Sequence, residues 1–281
     1  MKDLIKAIRS AANMNQEQFA SALGTTPLSI NRWENGKTLP NRMAQTQLYN
    51  FCKERGINTS QLIIDSKTCS ANSGDLILYH GSKRGIEGCI APVSRAECDF
   101  GKGFYMGTNA LQPLTLVCNE EKPKFYTVKL DLTDLKVLTV EIGIEWAMLI
   151  AYYRKEMESA KGTAIYEKYA HMADGYDVIV GYIADDRMYT ELFRFFNKTL
   201  TDVALINCLS ALDLGMQYVA ISEKACKQIT ILKEETLSQL ELSLLKDMSA
   251  QRRRDGIALA EEIEVKYRRE GKFFDEILKG E

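Results

Sequence analysis

Only two histidines occur in the chain, and one of them, His80, closes the apolar run Asp75–Ser82, "DLILYHGS", directly before Gly81. A ring that exchanges hydrogen bonds near neutral pH, beside a residue without a side chain, offers a ligand both imidazole and bare backbone. Some way downstream, Phe100–Tyr105, "FGKGFY", is a glycine-loosened turn leading into an aromatic. Much later, Gln217 and Tyr218 open an extended run after the loop "SALDLGM". A further dense candidate stretch is Ile183–Glu191, "IADDRMYTE". Asp185, Asp186 and Glu191 are candidate carboxylates there, and Arg187 and Arg194 candidate partners for an anion. The same stretch reads equally as a helix N-terminus capped by Asp185 or Asp186, where acids suit the dipole.

Several chemistries are excluded. "GKG" at 101–103 lacks the G-x-x-x-x-G-K-[ST] phosphate-loop pattern, and no G-x-G-x-x-G follows a strand. Cys52, Cys69, Cys89, Cys98, Cys118, Cys208 and Cys226 are scattered, odd in number and free of any CxxC pair, against both a zinc site and a disulfide framework. His171 lies in a polar segment and reads as surface, so no Ser-His-Asp arrangement is available.

The elements that must position these residues change in kind along the chain. From residue 75 to 236, short β-branched or aromatic runs, Leu76–Tyr79, Lys124–Leu132, Tyr176–Ile183, Gln217–Ser222 and Lys227–Lys233, alternate with helical segments. This is an α+β pattern. Thr59–Gly74 is rich in Ser, Thr, Asn and Gly, a linker composition. Ahead of it, residues 1–58 are helical throughout. Asn15 is placed to cap a helix, with Gln18 at the capping-box position. Gly24 ends that helix, Thr26 caps the next with Pro27 at its first position, and Gly36 closes it. From Leu237 to residue 281, Leu237, Leu240, Leu244 and Met248 recur at helical spacing, Gly256 is a candidate break, and Phe273, Phe274, Ile277 and Leu278 follow. This amphipathic tail either packs on the body or pairs with an antitoxin-like partner or a second copy.

Charge is uneven. Residues 1–58 carry a net +4, residues 59–236 a net −5 and residues 237–281 a net −1. A basic first segment on an acidic body fits a small nucleic-acid module attached to something else. No apolar run is long enough for a membrane span and the N-terminus carries no signal-peptide core, so a cytoplasmic protein is expected.

Gln16, Phe19, Ala20, Leu23, Gly24, Ile30, Arg32, Trp33, Glu34 and Gly36 give the first segment a pattern that resembles the phage-repressor-like (XRE-type) helix-turn-helix family. The resemblance implies double-stranded DNA as partner through residues 15–37. Thr26, Leu28, Ser29, Asn31 and Arg32 would stand at the start of the groove-reading helix, with Gln18 and Lys37 on phosphates. Pro27 and Leu28 replace polar side chains that usually read bases. The other reading of the four helices is a dimerisation or docking module.

"YHGS", "GKGFY" and "QY" together, in that order and on strands, resemble the ADP-ribosyltransferase superfamily in its His–Tyr–Glu branch, nearest to bacterial domains of unassigned function found beside toxin–antitoxin genes. The resemblance implies an ADP-ribosyltransferase-like fold with a split β-sheet core, and NAD as cofactor. His80, Tyr105 and Gln217 would be its catalytic set, and His80, Gly81, Ser82, Gly103 and Tyr105 its cofactor-binding set. His80 would meet the adenosine-side ribose, the Gly81 backbone the carboxamide, Tyr105 the nicotinamide ring, and Gln217 the nicotinamide ribose. Gln217 is neutral where the family carries an acid. Three outcomes stay open: transfer of ADP-ribose to a macromolecular acceptor, with a nearby carboxylate compensating; NAD binding without turnover, as in a transcriptional regulator; or another ligand.

Overall fold

The computed structural model describes residues 1–68, 74–184, 186–212 and 215–279, without the side chains of 186–189 and 212. Cys69, Asp185, and the side chains of Asp186 and Arg187 therefore lie outside the described residues.

Five helices come first: α1 (Lys2–Ala11), α2 (Gln16–Ala22), α3 (Pro27–Glu34), α4 (Arg42–Glu54) and α5 (Thr59–Lys67). Asn15 accepts from the Gln18 N–H at 2.8 Å while the Gln18 side chain accepts from the Asn15 N–H at 3.0 Å, a closed capping box on α2. Gly24 follows α2 with φ of 61°, the left-handed turn that a side chain would strain. Thr26 caps α3 through the Ser29 N–H. Behind these turns Arg9 donates to Glu34 at 2.6 Å and to the Met14 carbonyl at 2.8 Å, and Gln16 donates to Glu34 at 2.7 Å. One buried carboxylate thus ties α1, α2 and α3 together.

The expected linker Thr59–Gly74 is corrected over its first half. Asn58 caps α5 through the Ser60 N–H, and α5 buries Ile63 in the same core as Leu4, Phe19 and Leu48. Polar residues on its outer side gave the segment a loop composition. Lys67, at its end, is fully buried against Glu241 at 2.8 Å and Glu235 at 3.1 Å. Burial opposes its charge, but the two carboxylates hold its proton more tightly than usual. Burial likewise opposes the charge of Glu241, and Lys67, the N-terminal ammonium at 3.6 Å and Ser238 together outweigh it, holding that carboxyl at about 2.

The second body contains β1 (Leu76–Ser82), β2 (Phe104–Gly107), α6 (Leu111–Val117), β3 (Lys124–Leu130), β4 (Val137–Val140), α7 (Ile144–Tyr153), α8 (Ala164–Ala170), β5 (Val178–Tyr182), α9 (Asp186–Phe196), α10 (Asp202–Leu212), β6 (Met216–Ala220), α11 (Glu223–Lys227) and β7 (Ile229–Thr236). It is a mixed α/β domain with one seven-stranded sheet, ordered β4-β5-β6-β2-β1-β3-β7. Only β4 and β5 are parallel among the described pairs. The split core expected from sequence is a single sheet with one weak seam. β1 meets β3 over seven register pairs but meets β2 at one, Tyr79 with Gly107. The sequence reading missed β4, whose run "VLTV" is only four residues long and follows closely on the Asp131–Asp134 turn.

Two helices complete the chain, α12 (Gln239–Tyr267) and α13 (Phe274–Lys279). Gly256 does not break α12; it lies buried within a continuous helix of 29 residues. The apolar stripe of α12 is used within the chain. Leu240, Leu244, Leu245 and Met248 share one apolar core with α1–α6, and Ala260 lies on α10, where its carbonyl accepts from the Cys208 thiol. Phe274 of α13 packs on Phe195 and Phe196. The tail is thus a strut joining the helical body to the sheet domain. No helix of the described residues is long and apolar enough to cross a membrane.

Candidate functional site

The seam between β1 and β2 opens into a cleft of about 1060 Å³. His80, Gly81, Ser82, Gly103, Tyr105 and Gln217 all line it. Three strands and the loop before β2 thus bring the whole sheet-domain candidate set to one place.

His80 closes the seam. Its Nδ1 lies 2.7 Å from the Tyr105 carbonyl and its ring stacks on Phe104 with centroids 4.3 Å apart. A carbonyl only accepts, so Nδ1 carries the proton and Nε2 is left as an acceptor. Burial lowers the pKa of the ring, outweighing the contact with the Tyr105 carbonyl, and keeps it neutral. Gly81 is needed for packing: a Cβ there would meet the Pro113 carbonyl oxygen of α6 at 2.3 Å. Ser82 folds the chain after β1, donating to the Gly85 carbonyl at 2.9 Å and accepting from its N–H at 3.0 Å.

Tyr105 alternates along β2 with Phe104, which stacks on His80, so Tyr105 points to the face opposite His80. It packs toward the α7–α10 side while Phe104 packs toward the other. Its hydroxyl donates to the Gly101 carbonyl at 2.8 Å and accepts from the Phe100 N–H at 3.0 Å, which pins the turn "FGKG". Burial, with the Asp99 charge nearby, pushes that hydroxyl well above the usual phenol range. The Gly103 N–H donates to the Ser94 hydroxyl at 3.0 Å and its carbonyl accepts from the Ser94 N–H at 3.3 Å. What His80 and Tyr105 share is therefore the seam and not a face.

Gln217 lies on the central strand β6 and is opposed by Gly107 on β2 and Gly181 on β5. Its amide nitrogen donates to the Tyr182 carbonyl at 3.0 Å and to Asp99 Oδ2 at 3.3 Å. Asp99 is buried and accepts from Arg154 Nε at 3.1 Å and from its terminal nitrogen. Phe100 explains the placement: its ring lies over Gly181, 2.6 Å from where a Cβ would be, and carries Asp99 to Gln217. Sequence reasoning missed Asp99 and Arg154. No period marks a buried polar residue in a loop, so no local signal identifies either one.

Glu191 and Arg194, weighed from sequence as companions of the cleft, are brought elsewhere. Arg194 pairs with Glu191 at 3.3 Å and with Glu264 of α12. Burial raises the Glu191 pKa, against the lowering effect of Arg194. Neither lines the cleft. His171 is exposed and meets Asp174 at 2.7 Å, as its polar surroundings led one to expect.

On the helical body, Gln18, Thr26, Leu28, Asn31, Arg32 and Lys37 are exposed and Ser29 is half-buried. Leu28 is 60% exposed at the start of α3, so an apolar side chain stands where a polar base reader is usual. Gln18 and Thr26 spend side-chain oxygens on capping, whereas no hydrogen bond or ion pair ties down the Arg32 or Lys37 side chain among the described residues.

Comparison with known families matches both parts. A helix-turn-helix family model covers residues 5–42, which supports DNA binding by α1–α3 and the start of α4. A second model, for proteins of unknown function (DUF3990), covers residues 76–231, from the first residue of β1 into β7. The chain belongs to that family. No curated protein and no solved structure matches it.

Proposed function

We propose that this DNA-binding protein holds NAD in the seam cleft and transfers ADP-ribose from it to a macromolecule, protein or nucleic acid, as a toxin-like effector. The helix-turn-helix would localise it or regulate its own operon. The observation that supports this most is the convergence of His80, Tyr105 and Gln217, far apart in sequence, on one cleft. The chemistry of the wall agrees. The neutral His80 ring has one acceptor nitrogen left and Gln217 has its amide hydrogens engaged, so both suit a ligand rich in hydroxyl donors, such as ribose. Cleavage of the nicotinamide–ribose bond passes through an oxocarbenium-like state, which a site lined by acceptors and an acid favours over bulk water.

A second reading has its own observation. Gln217 is neutral, and the nearest carboxylate, Asp99, is matched by Arg154. That arrangement also suits a transcriptional regulator that binds NAD or a related nucleotide without turnover.

Incubation of the protein with NAD labelled in its adenylate half and cell extract, beside His80→Ala and Gln217→Ala, separates the two. Label on protein or nucleic acid that the variants abolish is the expected result. NAD binding with no transfer selects the regulator, and absence of NAD binding rejects both.

A further inference from the structure

Gln217 is polar yet only 6% exposed, and a buried amide must find partners for its hydrogens. Its nitrogen carries two, and two acceptors stand in reach, the Tyr182 carbonyl at 3.0 Å and Asp99 Oδ2 at 3.3 Å. With both committed, the amide can turn only its oxygen toward the cleft it lines. Asp99 fixes that choice, because a carboxylate accepts and does not donate.

Asp99 is itself 9% exposed, and its other oxygen takes Arg154. A buried ion pair is a poor way to hold a loop, because desolvation offsets most of its attraction. The loop has other fastenings in the Tyr105 hydroxyl and Ser94. Asp99 nonetheless keeps one oxygen on the amide of Gln217, at the position where the sugar of a bound dinucleotide would develop positive charge. A rigid, partly desolvated carboxylate of this kind is what electrostatic preorganisation requires.

We propose that Asp99 is a positioning residue of the cleft: it orients the Gln217 amide and turns the negative end of its pair with Arg154 toward the ribose. The proposal rests on the NAD reading above. With water as the acceptor, the bond from ribose C1 to the nicotinamide nitrogen breaks, and its electron pair leaves with nicotinamide, which becomes neutral. The water oxygen bonds to C1 and its proton passes to solvent. While the bond breaks, the Gln217 oxygen accepts from a ribose hydroxyl and Asp99 stabilises the growing charge through the amide.

The full chain is compared with Asp99→Asn, Gln217→Leu and the double variant Asp99→Asn/Gln217→Glu. Calorimetry reads NAD binding and nicotinamide release reads turnover. Asp99→Asn is expected to bind NAD within about threefold of the parent while releasing nicotinamide about 100-fold more slowly. The double variant moves the carboxylate across the same hydrogen bond and is expected to regain most of the lost rate. A purely structural Asp99 would gain nothing from a charge at 217. Should Asp99→Asn fail to fold, Gln217→Leu leaves the Asp99–Arg154 pair intact and is expected to show the same slow release. Unchanged turnover in Asp99→Asn, a double variant no faster than Asp99→Asn, or undiminished turnover in Gln217→Leu overturns the proposal. A parent protein that binds NAD but releases no nicotinamide overturns it and leaves NAD binding standing; one that binds no NAD overturns both.

Discussion

The DNA-facing helix and the seam cleft place their candidate residues in opposite ways. On α3, Leu28, Asn31 and Arg32 project into solvent from a scaffold that others maintain: Arg9 and Glu34 behind it, Ile30 and Trp33 beneath it. In the cleft, the residues offered to a ligand are themselves the scaffold. His80 bridges the β1–β2 seam, Tyr105 pins its own turn, and Gly81 is the seat of α6. A surface reader is free to change without loss of fold, whereas a cleft wall is bound by its packing. The first kind of site can be altered residue by residue, and the second answers as a unit.

Unfolding measurements test this contrast. The largest effect is expected where the two regions join. Lys67→Ala removes the nearer of the two cations on buried Glu241 and leaves only the N-terminal ammonium at 3.6 Å, and denaturant titration should show a loss of about 3–5 kcal/mol. The same pair sets an acid limit. The Glu241 pKa is lowered in the folded state, so its contribution is complete above the unfolded value of 4.5 and is lost as pH falls toward about 2. Stability measured across that window should decline in the parent and much less in Glu241→Gln. Next comes Gly81→Ala, whose Cβ would displace α6; about 3 kcal/mol is expected. Tyr105→Phe removes one hydroxyl from two backbone partners, for about 1–3 kcal/mol by thermal melting. The smallest effect belongs to Arg32→Ala. Its melting should stay within about 0.5 kcal/mol of the parent, while the salt slope of DNA binding drops by about 1. A large melting loss in Arg32→Ala, or none in Gly81→Ala, would break the comparison.

The same contrast explains what could be read without coordinates. Asn15, Gln18, Gly24, Thr26 and Pro27 act on neighbours a few residues away, so their roles are written locally and the helices follow. Motif order singles out His80, Tyr105 and Gln217 only as candidates, and it does not say what each one touches. His80 on Phe104, Gly81 against Pro113 and Gln217 on Asp99 all depend on sheet order, which no short window contains. The helix α5 was hidden for a related reason. Thr59, Ser60 and Gln61 look like loop because the side that makes it helical, Ile63 and Lys67, is met only by partners elsewhere in the chain. Gly256 failed as a stop signal because its lack of a side chain serves burial within α12.

The strut also bears on the order in which the molecule is made. At about 1.5 Å per residue, α12 runs roughly 43 Å and lays its first turns on α4 and α5. The helical body is synthesised long before α12 exists, so Ile63 and Lys67 wait with an open apolar side and an unmatched charge until residue 241 emerges. Contacts this distant in sequence form slowly and leave earlier segments exposed to chaperones, proteases and one another. A nascent chain stopped ahead of α12 should accordingly be protease-sensitive at α5, whatever the intrinsic quality of its caps.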